Sequence, residues 1–517
     1  LSIDLGSLPL FQLGCLVVAV TMLVWDSIEV GRNDAANLVN AVFGAGILRH
    51  SVAIVVAGAA VVFGATLSSD VIDTARKGIF SPTALGSIDA ALTIYTSVYI
   101  VDTILLYGYS GYGMPVSTTA CLVFELLGAS FAMSPAAVQW PKAGVVVLAI
   151  VVSILMSGVM SFMIQRAVRG AIRDRTRGLA TLLLHGGWVG GGMLAGLTYF
   201  MLLKGMKNVQ WVKDLKEAYL ETLGTTVFFI LLWAFFAIMI HFTLVIFRKR
   251  AARLLFPVLG VLGMLALAFA FGQNDLANCA SPGLAAVHLV DKMDLEQATR
   301  ASIPRWMLFF CGLLLFAGMT TKRSKRVTQA AVATGSVGDH VELWAPRWCV
   351  RMAQTLLRHG RRGKALAPRP GPDREEHGVH FDTLRAAVIM STSASVIATA
   401  SSFGLPVSTT YVTFAAVVAT GMADRIFQRG DAALKLGRAI WVVTSWFLAA
   451  GIAAVAAGGV ALVIRHVGVI GIAACLAANF SLRVVLKKRS DLQAQRVREE
   501  AYERLHPEEF ALEDETV

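Results

Sequence analysis

The sequence is poor in charge and has no paired cysteines. Of its 517 residues, 15% are Asp, Glu, Lys or Arg, whereas a soluble globular chain carries about 25%. The six cysteines (Cys15, Cys121, Cys279, Cys311, Cys349 and Cys475) are scattered with no C-x-x-C spacing, which speaks against a disulfide framework and a zinc site. Walker A, H-E-x-x-H and dinucleotide-type glycine words are missing, and no nucleophile–base pair is visible, so an enzyme is not expected. Acidic residues are the scarcer sign, 34 against 46 basic ones, for a net charge of +12. Cytoplasmic loops of membrane proteins collect Lys and Arg, which accounts for the excess without nucleic acid as a partner.

Apolar residues are what the chain does have: 56% are hydrophobic, with a mean hydropathy of +0.65. Runs long enough to span a bilayer, about 20 residues, cover 10–30, 51–69, 88–108, 115–135, 143–165, 181–203, 222–247, 254–272, 304–320, 383–403, 406–424, 437–463 and 465–485. The expected fold is therefore an all-α, polytopic membrane protein of about 12 transmembrane helices. Basic clusters at 166–177, 248–253, 322–380 and 487–489 are separated by even numbers of runs, so all fall on one face, the cytoplasmic one. The acidic N-terminus then lies outside, with Arg76 and Lys77 awkwardly on that side.

Two words occur twice in the same order: GRNDAAN (31–37) with GQNDLAN (272–278), and GMPVSTT (113–119) with GLPVSTT (404–410). Asp34 precedes Pro115 by 81 residues and Asp275 precedes Pro406 by 131; the difference nearly equals the polar segment 322–380. The second half thus reads as the first with one insertion. An odd number of runs separates the two starts, which predicts two inverted repeats with discontinuous helices, an arrangement typical of secondary transporters. The corresponding division is 1–165 for the first repeat, 166–253 for an interfacial helix and connecting spans, 254–321 for the start of the second repeat, 322–380 for a cytoplasmic polar loop, 381–465 for the rest of the second repeat, and 466–517 for a last span and cytoplasmic tail.

Asn33-Asp34 and Asn274-Asp275 lie in apolar surroundings, where a charged carboxylate costs about 2.5–3.5 kcal/mol. A bound cation, a proton or a basic partner must offset that cost, and hard oxygen ligands suit Na⁺ or H⁺. Gly31, Gly44 and Gly272 would let the backbone unwind there. Each Pro-Val-Ser-Thr-Thr opens a helix within the membrane, aiming unpaired N–H groups at the interior as an oxyanion site. Ser117, Thr118, Thr119, Ser408, Thr409 and Thr410 add hydroxyls. A single N-D or S-T-T word is usually an ordinary cap; the duplication favours function. Glu29 and Arg32 read as a local i,i+3 pair, with Arg32 touching the anion as the alternative, Glu125 as a proton carrier or a hydrogen-bonded bundle residue, and His288 as interfacial.

At these words the sequence resembles the inorganic phosphate transporter (PiT) family, whose hallmark is a duplicated GANDVAN-like word followed by PVSTT-like words. RKGI at 76–79 shares the likeness, which covers both halves and omits the 322–380 loop and the tail. The resemblance implies a multi-pass cell-membrane symporter, a homodimer, that imports inorganic phosphate with Na⁺ or H⁺ and needs no other cofactor. It implies cation sites at Asn33, Asp34, Asn274 and Asp275, with Asp34 and Asp275 holding sodium if sodium couples. Phosphate would meet Asn37, Asn278 and the six hydroxyls named above. Departures from the pattern are Arg32 and Gln273 for the Ala of GAND, Ala120 and Tyr411 for a following His, and Val61 where some relatives carry Glu. These bear on coupling ion and substrate: a sulfate permease of the same fold is the alternative, and a phosphate-binding receptor the distant one.

Overall fold

The computed structural model describes residues 6–68, 78–207, 209–300, 303–336, 341, 343–360, 380–428 and 430–505. The described residues fold into helices with a single isolated β-bridge, Phe80 to Val138. In chain order the main helices are α1 Leu10–Gly44, α2 His50–Thr66, α3 Ile88–Gly111, α4 Thr118–Met133, α5 Trp140–Ile172, α6 Leu179–Thr198, α7 Thr225–Lys292, α8 Arg305–Met319, α9 Lys322–Thr334, α10 Arg347–Gly360, α11 Thr383–Ser402, α12 Thr409–Ala423, α13 Ala432–Val467 and α14 Val469–Leu505. Among the described residues eight helices are long and apolar enough to cross a membrane, and α2, α4, α8 and α12 are shorter apolar helices.

The long helices sort their residues into two faces. In α5, Leu148, Leu155, Val159 and Met163 are exposed, while Ser153, Ser157 and Ser161 line the buried side at four-residue spacing. The matching helix α13 exposes Phe447, Ile452 and Val455 and buries Ala449, Ala453, Ala457 and Ala461. Small residues four apart let backbones approach, the usual basis of helix packing in lipid. Accordingly α4 packs on α13, where a Cβ on Gly128 would stand 1.9 Å from the Ala454 carbonyl oxygen. Its counterpart α12 packs on α5, where the Ser157 hydroxyl donates to the Val412 carbonyl at 2.7 Å.

Several sequence expectations change. The N-D words do not unwind: α1 and α7 run through them without a break. Gly31 and Gly272 are instead contact points, where an added Cβ would come within 2.0 Å of the Leu315 oxygen and 2.2 Å of the Val61 oxygen, respectively. Discontinuity falls at the other pair of words, because α3 ends at Gly111 and α11 at Ser402, before α4 and α12 begin. Runs 222–247 and 254–272 stay two separate helices: the span labelled α7 bends between them at Arg248, whose backbone is not helical (φ 42°, ψ −119°). Segment 166–180 is no separate interfacial helix: its first part is the end of α5, which stops at Arg173 with φ 55°. The 322–380 insertion includes two packed helices: α9 buries Val327 and Ala331 against Ala36 of α1, and α10 packs on α13. His288 is buried in α7. Arg76 and Lys77 lie outside the described residues.

Candidate functional site

The two Pro-Val-Ser-Thr-Thr words adopt the same local structure. Gly113 and Gly404 turn the chain at φ 63° and 67°, conformations that a side chain would strain. Ser117 and Ser408 follow as N-caps with nearly equal dihedrals (φ −81°, ψ 110° and φ −82°, ψ 109°). Their hydroxyls accept from Ala120 N at 3.0 Å and Tyr411 N at 3.1 Å. These two serines therefore build the half-helix tips.

Each asparagine that precedes an aspartate holds the tip of its own half. Asn33 accepts from Val116 N at 3.1 Å, and its amide donates to Ser110 Oγ and to the Met114 carbonyl. Asn274 accepts from Val407 N at 3.2 Å and donates to the Val407 carbonyl at 2.6 Å. Bonds from the second threonines then cross between halves. Thr119 donates to the Val407 carbonyl at 3.0 Å, and Thr410 is within 3.1 Å of the Val116 carbonyl.

The aspartates meet where the two tips converge. Asn37 Nδ2 donates to Asp34 Oδ1 at 2.9 Å, and Thr410 Oγ1 lies 2.8 Å from that same oxygen. Asn278 Nδ2 donates to Asp275 Oδ1 at 2.8 Å, and Asn274 Nδ2 reaches Asp275 Oδ2 at 3.1 Å. Thr118 bridges the pair, its Oγ1 being 3.1 Å from Asp34 Oδ2 and 3.2 Å from Asp275 Oδ1. Thr409 is placed beside Asp275. None of the twelve residues expected at the site exceeds 3% exposure, so the cluster is closed to solvent on every side.

A count of hydrogens shows what this arrangement can do. A threonine hydroxyl has one proton to donate, so Thr118 can satisfy Asp34 or Asp275, not both. Two buried carboxylates are thus left one positive hydrogen short, a deficit that a cation or an extra proton between them would fill. The surrounding donors, two asparagine amides, the hydroxyls and the two helix N-termini, are of the kind that holds an oxyanion.

Some neighbouring residues were legible only in part. Asp26, Asp102 and Glu125 on α1, α3 and α4 are buried; no N–H or hydroxyl donates to their carboxyl oxygens, and Asp26 and Asp102 face each other within hydrogen-bond reach. Glu29 is paired as expected with Arg32 (2.7 Å), and also with buried Arg483 of α14 at 3.2 Å. Tyr99 gave no signal. Its hydroxyl accepts from Gly283 N at 2.8 Å and donates to the Cys279 carbonyl at 2.6 Å, standing between donor and acceptor of one i→i−4 step of α7. The hint was Pro282, which cannot continue the ladder just past the second N-D word.

Half-helices that meet tip to tip around buried carboxylates, inside a shell of lipid-facing helices, define a multi-pass membrane transporter. The sequence pattern of the phosphate transporter family matches residues 30–331 and 376–457. The chain belongs to that family, which is one of transporters and not of enzymes. Among similar proteins, one from Pyrococcus horikoshii named "putative phosphate permease" is 26% identical over 85% of this chain and 95% of its own length. A Haemophilus influenzae protein of the same name is 25% identical over 81% of this chain and 89% of its own. The fold is shared with a solved structure titled "The sodium-dependent phosphate transporter", at a TM-score of 0.63 and 21% identity, covering 87% of this chain and 99% of that one.

Proposed function

We propose that this protein imports inorganic phosphate across the cell membrane by symport with Na⁺ or H⁺, working by alternating access. The observation that carries the reading is the Asp34–Thr118–Asp275 bridge, which joins both halves at the convergence of two half-helix tips. Cations bind first, at the two carboxylates. Their charge then makes it favourable for the anion to bind at Thr118, Thr119, Thr409, Thr410, Asn37 and Asn278. Neither ligand is held well alone, and that mutual dependence is the coupling. The halves are read as inverted repeats, a reading supported by the duplicated words and the matched caps of their tips. For proton coupling, the buried carboxyl groups of Asp26, Asp102 and Glu125 provide further protonatable sites. Membership of the phosphate transporter family favours phosphate over sulfate.

The test is uptake of radiolabelled phosphate into proteoliposomes, with Na⁺ or choline outside at matched pH and sulfate as competitor. Na⁺-dependent uptake unaffected by sulfate is the expected result for sodium symport. Uptake driven by a pH gradient alone assigns the carboxylates to protons. Sulfate accumulation without phosphate uptake would overturn the substrate.

A further inference from the structure

The helix α10 has three distinct faces and only one of them is used. Cys349 and Ala353 are buried, with Val350 and Leu357 partly so, and this face lies against α13, where Val350 closes on Gly437. A second strip is apolar and exposed: Trp348 (48%), Met352 (48%) and Leu356 (53%), one turn apart. A third strip carries Arg347, Arg351 and Arg358, all exposed. At about 100° per residue the apolar and basic strips are roughly a third of a turn apart.

The level at which this helix sits is also defined. Trp348 meets Trp441 of α13 edge-on at 6.3 Å, and Trp344 meets the same ring at 6.2 Å. In α13 the exposed apolar residues begin immediately beyond, at Val443 and Phe447. On the other side of Trp441 lie Arg438, Lys435 and Asp431. Trp348 therefore stands where the lipid-facing surface of α13 starts. Tryptophan at that level, an apolar strip continuous with the lipid-facing surface and arginines to one side are the features of a helix lying in a membrane interface.

We propose that α10 lies along the membrane surface and binds anionic phospholipid headgroups through Arg347, Arg351 and Arg358, with Trp348, Met352 and Leu356 entering the acyl region. The charge decides the ligand: three guanidiniums beside an apolar strip match phosphodiesters above acyl chains, and they gain little from a zwitterionic surface. The consequence for the transporter is a tether. The insertion between the two halves is held on the bilayer at α10, while α9, earlier in the same insertion, is held on α1.

The test uses the full chain in nanodiscs, with Leu356→Cys or Gln354→Cys carrying a bimane label. The unsubstituted protein is the labelling control, since five of its thiols are buried and Cys475 is half-buried. Quenching by doxyl-labelled lipid is compared with quenching by iodide, in phosphatidylcholine alone and in a phosphatidylcholine–phosphatidylglycerol mixture. In the mixed bilayer, lipid quenching should dominate at position 356 and iodide at 354. Removing phosphatidylglycerol, or combining Arg347→Gln, Arg351→Gln and Arg358→Gln, should lower lipid quenching at 356 roughly twofold or more. Iodide dominance at 356 in the mixed bilayer would overturn the proposal. Protection from both quenchers would do so as well, by showing a second copy or another segment of chain on the strip. Equal lipid quenching with and without the anionic lipid and the arginines would leave apolar insertion only, and would overturn the headgroup site.

Discussion

The Thr118 hydroxyl faces two carboxylates with one proton to give, and the consequences can be tested atom by atom. It accepts from Asn278 at 3.0 Å and faces a carboxylate of each half. Thr118→Val keeps the volume and removes the bridge, leaving a buried carboxylate oxygen short of a partner at a cost of about 1–3 kcal/mol. The expected result is a rise of roughly tenfold or more in the phosphate concentration giving half-maximal uptake, with Thr118→Ser restoring most of it. An unchanged value for the valine variant would remove Thr118 from the site. The aspartates should behave differently. Asp34→Asn and Asp275→Asn retain hydrogen bonding but lose the negative charge that the proposed cation site requires, so uptake should fall to background while the protein still inserts and stays monodisperse. Normal coupled uptake in both variants would be incompatible with cation binding at this pair.

At the scale of elements, the words themselves could be read from the sequence because they are polar groups repeated within apolar runs. The half-helices were equally legible, since Pro-Val-Ser-Thr-Thr carries its own capping chemistry, and the caps are where that chemistry puts them. What could not be read was the role of the glycines. A glycine beside N-D suggests unwinding, yet Gly31 and Gly318 are contact points of α1 with α8, where an added Cβ would meet a carbonyl oxygen of the other helix at 2.0 and 2.1 Å. Nothing near Gly31 in sequence points to Leu315, its partner in another helix. Gly31→Ala should therefore overpack the crossing and cost about 1–3 kcal/mol, seen as a lower melting temperature in detergent. A flexible hinge would instead be stabilised by alanine.

The insertion also escaped the sequence reading in part, because α9 and α10 each bury a stripe only against distant helices. Its junction with α11 passes through His380, whose ring shares a hydrogen bond with Ser336 Oγ at 3.0 Å while the His380 and Phe381 amides both donate to the Gly44 carbonyl. Burial first, and then the charge of Lys435, push this imidazole below its ordinary value of 6.5. The neutral ring is thus favoured in the fold. Its contribution to stability is complete above the ordinary value and is lost as the pH falls through it toward the lowered one. The wild type should lose more melting temperature than His380→Asn between about pH 7.5 and about pH 5; parallel losses would exclude this junction as the acid-sensitive one.

Across the whole molecule the two halves are interlocked, and this makes the far ends of the gripping helices important. Half-helix α4 of the first half rests on α13 of the second, and α12 of the second rests on α5 of the first. Neither half can place its tip at the centre without the long helix of the other. At one end of α5 the interlock closes on a single side chain: Arg169 pairs with Asp382, the N-cap of α11, and with Asp424, the C-cap of α12, its Nη2 lying 2.8 Å from Asp424 Oδ2. Gln165 adds a bond to Asp424 at 2.9 Å. One guanidinium fork thus ties the scaffold helix to both flanks of the half-helix that carries Thr409 and Thr410. Arg169→Gln removes the ion-pair partner of both carboxylates and leaves buried Arg385 as the remaining cation near them. Breaking a fully buried pair costs about 3–5 kcal/mol, and the partial exposure of all three side chains reduces this to roughly 1–3 kcal/mol. The variant should melt at lower temperature, and adding Asp382→Asn and Asp424→Asn should recover part of the loss, because the uncompensated charges are then gone. If the triple variant melts below the single one, Asp382 and Asp424 stabilise the fold by compensating buried Arg385 and not through Arg169, and the clamp between the halves would have to be sought elsewhere.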